Sequence, residues 1–91
     1  MPDSARAAQV KICGLTRPED AAAAAAAGAA YLGVVFAGGP RQVSPAAAAE
    51  VSAAAAGVPV FGVFGHQSVD QILELSRLAH LQGAQLHGAY R

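Results

Sequence analysis

Lys11 and Cys13 stand two residues apart in the stretch KICGLT, and Cys13 is the only cysteine of the 91-residue chain. On an extended strand, residues i and i+2 share a face, so the ammonium and the thiol point the same way while Val10 and Ile12 point to the other side. An ammonium beside a thiol favours the thiolate, which would equip Cys13 as a base; the alternative role for a free cysteine here is to fill a small apolar gap. Arg41 lies in GGPRQVS, between Pro40 and a helix-start signal. A loop guanidinium is suited to grip a carboxylate or phosphate through two parallel hydrogen bonds, and its alternative is a solvated side chain. His66 and His87 each sit at or just past the end of an apolar run.

Other chemistries lack their residues. No carboxylate or second cysteine stands at metal-ligand spacing from the histidines, and His80 falls near the end of a helical segment, where an imidazolium suits the dipole. Ser44 and Ser68 are accounted for as helix caps, which leaves no hydroxyl nucleophile with a base. Glu19, Asp20 and Asp70 belong to first helical turns, so no general acid is evident. Gly38 and Gly39 permit close backbone approach, but GGP does not have the spacing of a phosphate-cradling loop.

The elements that must position these groups are legible from patterning. Apolar, β-leaning runs recur at 9–13, 31–36, 59–64 and 84–87, separated by three segments of good helix formers. The first segment predicts a helix from about Arg17 to Ala27, capped by Thr16 with Glu19 reaching back and closed at Gly28. The second starts with Ser44 as cap and Pro45 at its first position, and stops at Gly57. The third pairs Ser68 with Gln71, carries Ile72, Leu73, Leu75 and Leu78 at helical spacing, and closes near Gly83. The order β-α-β-α-β-α-β, with strands such as YLGVVF apolar on both faces, is that of a covered parallel sheet. Its strand carboxyl ends lie at one rim, so Cys13, Arg41, His66 and His87 should converge there. Periodicity does not separate a doubly wound sheet from part of a barrel. Crossovers all on one side would leave one sheet face bare.

Composition narrows the class further. The formal charge is zero and the basic residues are scattered, which argues against nucleic acid or an anionic membrane as a partner. The start MPDSARAAQVK lacks a secretory apolar core, and the alanine run 21–27 is far shorter than the roughly 20 apolar residues of a membrane span. One cysteine allows no internal disulfide, so a cytoplasmic setting is expected. Residues 1–8 read as a flexible leader and 9–91 as one domain.

Taken in order, VKICGLTRPEDA, LGVVFA with PRQVSP, the GVF of the third strand and QLHG resemble the amino-terminal half of the phosphoribosylanthranilate isomerase family of tryptophan biosynthesis, in register from about Val10 to Gly88. The resemblance implies a (βα)3β4 portion of a TIM (βα)8 barrel, and an Amadori rearrangement of N-(5-phosphoribosyl)anthranilate, a phosphosugar. It implies Cys13 as the general base that removes the C2 proton, Arg41 on the anthranilate carboxylate, and His87 lining the substrate pocket; Lys11, on the face of Cys13, is counted with the substrate-binding residues. No cofactor or metal is implied, and the acid is an aspartate in the second half of the family's chain. Gly39, Gly65-His66 and Ala89-Tyr90 depart from the serine, asparagine and acidic residues that the family often carries at those places. With only the first half of the barrel, little activity is expected from these residues alone. The alternative is a non-catalytic half-barrel that pairs with itself, as a homo-oligomer, or with a complementary chain.

Overall fold

A computed structural model describes residues 10–86. The expected leader at 1–8 and the whole of the His87 expectation lie outside the described residues. Within them the chain runs β1 (Lys11–Ile12), α1 (Pro18–Ala26), β2 (Tyr31–Val35), α2 (Pro45–Ala54), β3 (Val60–Phe64), α3 (Val69–Ala79) and β4 (Gly83–Leu86). The strands form one parallel sheet in the order β1-β2-β3-β4. Sequential order with every helix on the same face is the arrangement of a barrel wall; a doubly wound sheet reverses its strand order and covers both faces.

Two of the three helix starts follow the sequence reading. Ser44 Oγ accepts from the Ala47 backbone N–H at 3.1 Å, with Pro45 at the first position. Ser68 and Gln71 form a reciprocal capping box: Ser68 Oγ accepts from Gln71 N–H at 3.1 Å, and Gln71 Oε1 accepts from Ser68 N–H at 2.8 Å. The first helix differs. Its cap residue is Arg17, not Thr16, no side chain caps it, and Pro18 opens the helix. A residue before proline is driven into extended backbone by the pyrrolidine ring, and Arg17 sits at φ −132°, ψ 142°. The helix therefore cannot start at Arg17, and Thr16 falls one residue too far upstream to cap it.

Helix ends were less well anticipated beyond α1. Gly28 adopts φ +94°; its N–H reaches Ala25 O at 3.1 Å and Ala29 N–H reaches Ala24 O at 3.1 Å, the two bonds of a Schellman closure. Helix α3, in contrast, closes at His80, left-handed at φ 56°, well before Gly83. Gly83 instead opens β4 in register with Phe61, because the Phe61 ring lies where a side chain would be: a Cβ there would stand 2.4 Å from Phe61 Cε2.

The core lies between the sheet and its helix layer. Leu32, Val34, Val60 and Phe64 come from the strands, and Ala21, Ala48, Val51, Ala55 and Ala79 from the helical segments. Alanine at most of the helix contacts lets the helix backbones approach the sheet closely, which suits α1 and α2, with few large side chains of their own. Phe64 stacks on Phe36 with centroids 5.3 Å apart. Ser52 Oγ donates to Ala79 O at 2.6 Å, joining α2 to the end of α3. The opposite sheet face, carrying Lys11, Cys13, Tyr31, Phe61 and Gln85, has no helix over it among the described residues, and Tyr31 and Phe61 meet there edge to face at 5.6 Å.

Candidate active site at the carboxyl ends of the strands

Cys13 follows β1 directly and is exposed on the open side of the sheet. Its neighbour on β2 is Gly33, one step beyond the Lys11–Tyr31 and Ile12–Leu32 pairs. A Cβ built on Gly33 would stand 2.8 Å from Cys13 Sγ, so the sulfur rests in the notch left by the missing side chain. The chain then leaves the strand through Gly14, at φ +84°, a conformation open to glycine and costly for other residues. Both Gly14 N–H and Leu15 N–H donate to the Gly33 carbonyl, each at 3.1 Å. Gly33 thus receives the thiol on its α-carbon and the next two amides on its oxygen.

Arg41 arrives from the other side. The β2–α2 loop turns back at Gly38 and Gly39, both at φ +98°, and Gln42 makes a parallel bridge to Val35 at the end of β2. That return carries the Arg41 side chain across Gly14: a Cβ on Gly14 would stand 2.7 Å from Arg41 Cδ and 3.2 Å from Nη1. The guanidinium therefore lies over the peptide that follows the thiol, and the structure brings Cys13 and Arg41 to one rim as the sequence predicts. A guanidinium held there, solvent-exposed and across the residue that follows Cys13, is of the kind that grips a carboxylate or phosphate.

Lys11 shares the face of Cys13, as expected, but its ammonium is engaged elsewhere. It donates to Gln85 Oε1, on the strand at the far edge of the sheet, over an open hollow of about 400 Å³ lined also by Tyr31, Phe61 and Ala84. Val10 and Ile12 face Ala24, Ala27 and Ala29 on the helix side, in keeping with the alternation. His66 does not join Cys13 and Arg41; it lines a surface hollow with Asp70, Gln71 and Glu74 along the flank of α3. Among the described residues no group of His, Cys, Asp and Glu is placed to hold a metal ion.

Sequence reasoning missed the residues that hold the rim together. Gln67 Nε2 donates to Phe36 O at 2.6 Å, while its Oε1 accepts from Gly65 N–H at 2.9 Å and His66 N–H at 3.2 Å. One side chain so links the loops after β2 and β3. Its only sequence signal is its place between a strand end and a cap serine. Gly14, Gly33 and Gln85 were also missed. A glycine inside an apolar strand is a recognised sign of close approach, and that signal would have singled out Gly33.

A sequential parallel sheet, helices on one face and reactive side chains gathered where the strands end define a segment of (βα)-barrel wall. Comparison with known proteins gives the same class and narrows it. The sequence profile of the N-(5'phosphoribosyl)anthranilate (PRA) isomerase family matches residues 10–90, and the chain belongs to that family. The N-(5'-phosphoribosyl)anthranilate isomerase of Chlorobaculum parvum is 51% identical over 81 residues, covering 87% of this chain and 37% of the relative. The crystal structure of the phosphoribosyl anthranilate isomerase from Thermus thermophilus superposes with a TM-score of 0.86 at 44% identity, covering 92% of this chain and 43% of that one. A phosphoribosyl anthranilate isomerase solved in complex with reduced 1-(o-carboxyphenylamino)-1-deoxyribulose 5-phosphate matches with a TM-score of 0.86 at 34% identity, covering 91% of this chain and 44% of that one. The chain thus spans about two fifths of the length of the relatives it matches.

Proposed function

We propose that these residues are the amino-terminal part of an N-(5-phosphoribosyl)anthranilate isomerase, residues 9–91 forming the first strands of its barrel. In this reading an acid supplied by the rest of the barrel opens the sugar ring to a Schiff base. Cys13 takes the C2 proton as base; the C2–H electron pair forms a C1–C2 double bond while the C=N pair moves onto nitrogen, and the resulting enolamine becomes the ketone of 1-(2-carboxyphenylamino)-1-deoxyribulose 5-phosphate as C1 takes up a proton and the C2 hydroxyl releases one. The proton next to an iminium is strongly activated, so a thiol is a sufficient base. Arg41 holds the anthranilate carboxylate, Lys11 and His87 line the pocket, and no cofactor or metal takes part. The observation that supports the reading is the Arg41 side chain lying across Gly14, the residue that follows the thiol. A cytoplasmic setting goes with this chemistry, because a lone base thiol needs a reducing compartment.

The test joins this chain in frame to the carboxy-terminal portion of the Thermus thermophilus relative and follows consumption of N-(5-phosphoribosyl)anthranilate. Cys13→Ala is expected to lower kcat by at least about a thousandfold, as loss of one member of an acid–base pair does. Arg41→Ala is expected mainly to raise KM. An alanine variant at 13 that turns over like its parent rules the base assignment out. The 91 residues alone should show little turnover, since acid and base act as a unit.

The open sheet face favours a second reading, in which the chain buries Tyr31 and Phe61 against another copy of itself. Tyr31 is 38% exposed in the chain by itself. Solution mass measured across concentrations separates the two: a cooperatively folding monomer at every concentration ends the self-pairing idea.

A further inference from the structure

Two glycines flank the thiol, and they differ in what a side chain would do. Gly14 has φ +84°, so any substitution there strains the backbone as well as displacing Arg41. Gly33 carries no such constraint. It sits inside β2 with ordinary strand backbone, paired with Phe61 on β3. The nearest atom to a side chain added there is Cys13 Sγ at 2.8 Å; the next are Cys13 Cα and Cβ at 3.4 Å, which is ordinary contact. One atom of one residue therefore occupies the place of the absent methyl group.

We propose that Gly33 is the positioning residue of the site: its bare α-carbon sets the rotamer of Cys13 and so fixes where the thiol stands. This deepens the reading of Cys13 as base and rests on it for its catalytic meaning. The physical basis is that sulfur hangs on a single rotatable bond with three staggered wells. The Gly33 carbonyl pins the main chain beyond it by accepting from Gly14 and Leu15, so the backbone on that side is held. With a methyl group in the notch, the sulfur's remaining choice is to rotate into another well. A base displaced by the breadth of a rotamer change no longer meets the substrate proton it must take.

The experiment uses the 91-residue chain in four forms: parent, Gly33→Ala, Cys13→Ala and the double variant. Thermal midpoints are read for all four, and the rate at which iodoacetamide alkylates the sole thiol is read for the first two at one fixed pH. The expected result is that Gly33→Ala speeds alkylation on the order of threefold or more, because the sulfur leaves its notch for solvent. Any fall in midpoint caused by Gly33→Ala should vanish when Cys13 is alanine, as coupling through a single contact requires. If Gly33→Ala fails to fold, the double variant must fold like Cys13→Ala, which supports the assignment on its own. The proposal is overturned by an unchanged alkylation rate in a folded Gly33→Ala chain, by a midpoint penalty that persists without the sulfur, or by failure of both Gly33→Ala forms to fold. None of these measurements uses turnover, so they stand apart from the chimera assay that tests the base itself.

Discussion

Replacing Gly62 by alanine tests the packing that joins the sheet to its helices. Gly62 lies at the centre of β3, between Val34 on β2 and Ala84 on β4. A Cβ there would stand 2.6 Å from Leu81 Cδ1 and 2.9 Å from both Cε2 and Cζ of Phe64. All three are far inside normal carbon–carbon contact, which begins near roughly 3.5 Å. Leu81 has a flexible tip and is partly exposed, so it can yield. Phe64 cannot: it is fully buried and stacked on Phe36 at 5.3 Å. Overpacking of a filled core costs about 1–3 kcal/mol, and an immovable aromatic places this site near the upper end. For a domain of this size about 4–8 °C of melting temperature is lost per kcal/mol, so a fall of roughly 10–20 °C is expected. Thermal unfolding followed by far-ultraviolet circular dichroism reads it directly. Phe64→Leu in the Gly62→Ala background removes the obstructing ring edge and should recover part of the loss. A Gly62→Ala chain melting within about 2 °C of its parent, outside the few-degree shift that even 1 kcal/mol gives, would refute the packing argument.

Two further outcomes concern helix ends. Ser68→Ala removes half of a reciprocal capping box and should lower stability by about 1 kcal/mol, a drop of several degrees, whereas Thr16→Ala should be close to neutral because Pro18 starts that helix without a side-chain cap. Parallel melts of the two variants check this, and equal losses would contradict it. Ala56 is held at φ 54° on an exposed turn after α2. Ala56→Gly should therefore raise stability by about 0.5–1 kcal/mol in urea unfolding, since glycine enters the left-handed region without the Cβ clash.

What the chain states locally it states clearly. Ser44 with Pro45, Ser68 with Gln71, and Gly28 after the alanine run each act within one helical turn, so their outcome depends on neighbours a few residues away. Strand positions are equally plain in YLGVVF and PVFGVF, as is the placing of Cys13 at a strand end and Arg41 in a strand–helix loop. The family motifs add the expected chemistry on the same residues. The Thr16 expectation failed within this local range, because a cap signal and a proline competed for the same helix start and the proline's fixed geometry prevailed.

Contacts between distant segments were another matter. Nothing in the order of residues places Gly33 under the Cys13 sulfur, Gly14 under Arg41, or Phe61 over Gly83; these follow from a register set by pairing whole strands. Lys11 shares a face with the thiol two residues away, and nothing in that spacing announces that its ammonium also meets Gln85, 74 positions along the chain. Patterning likewise left open whether the sheet was doubly wound or part of a barrel, since both repeat strand and helix alike. That choice was decided by the tertiary structure, in the sequential strand order and the single helix-covered face. Amino-acid type and spacing determined which chemistry was on hand. Where those groups meet was decided by register, because one shift in pairing would turn every side chain of a strand to its other face.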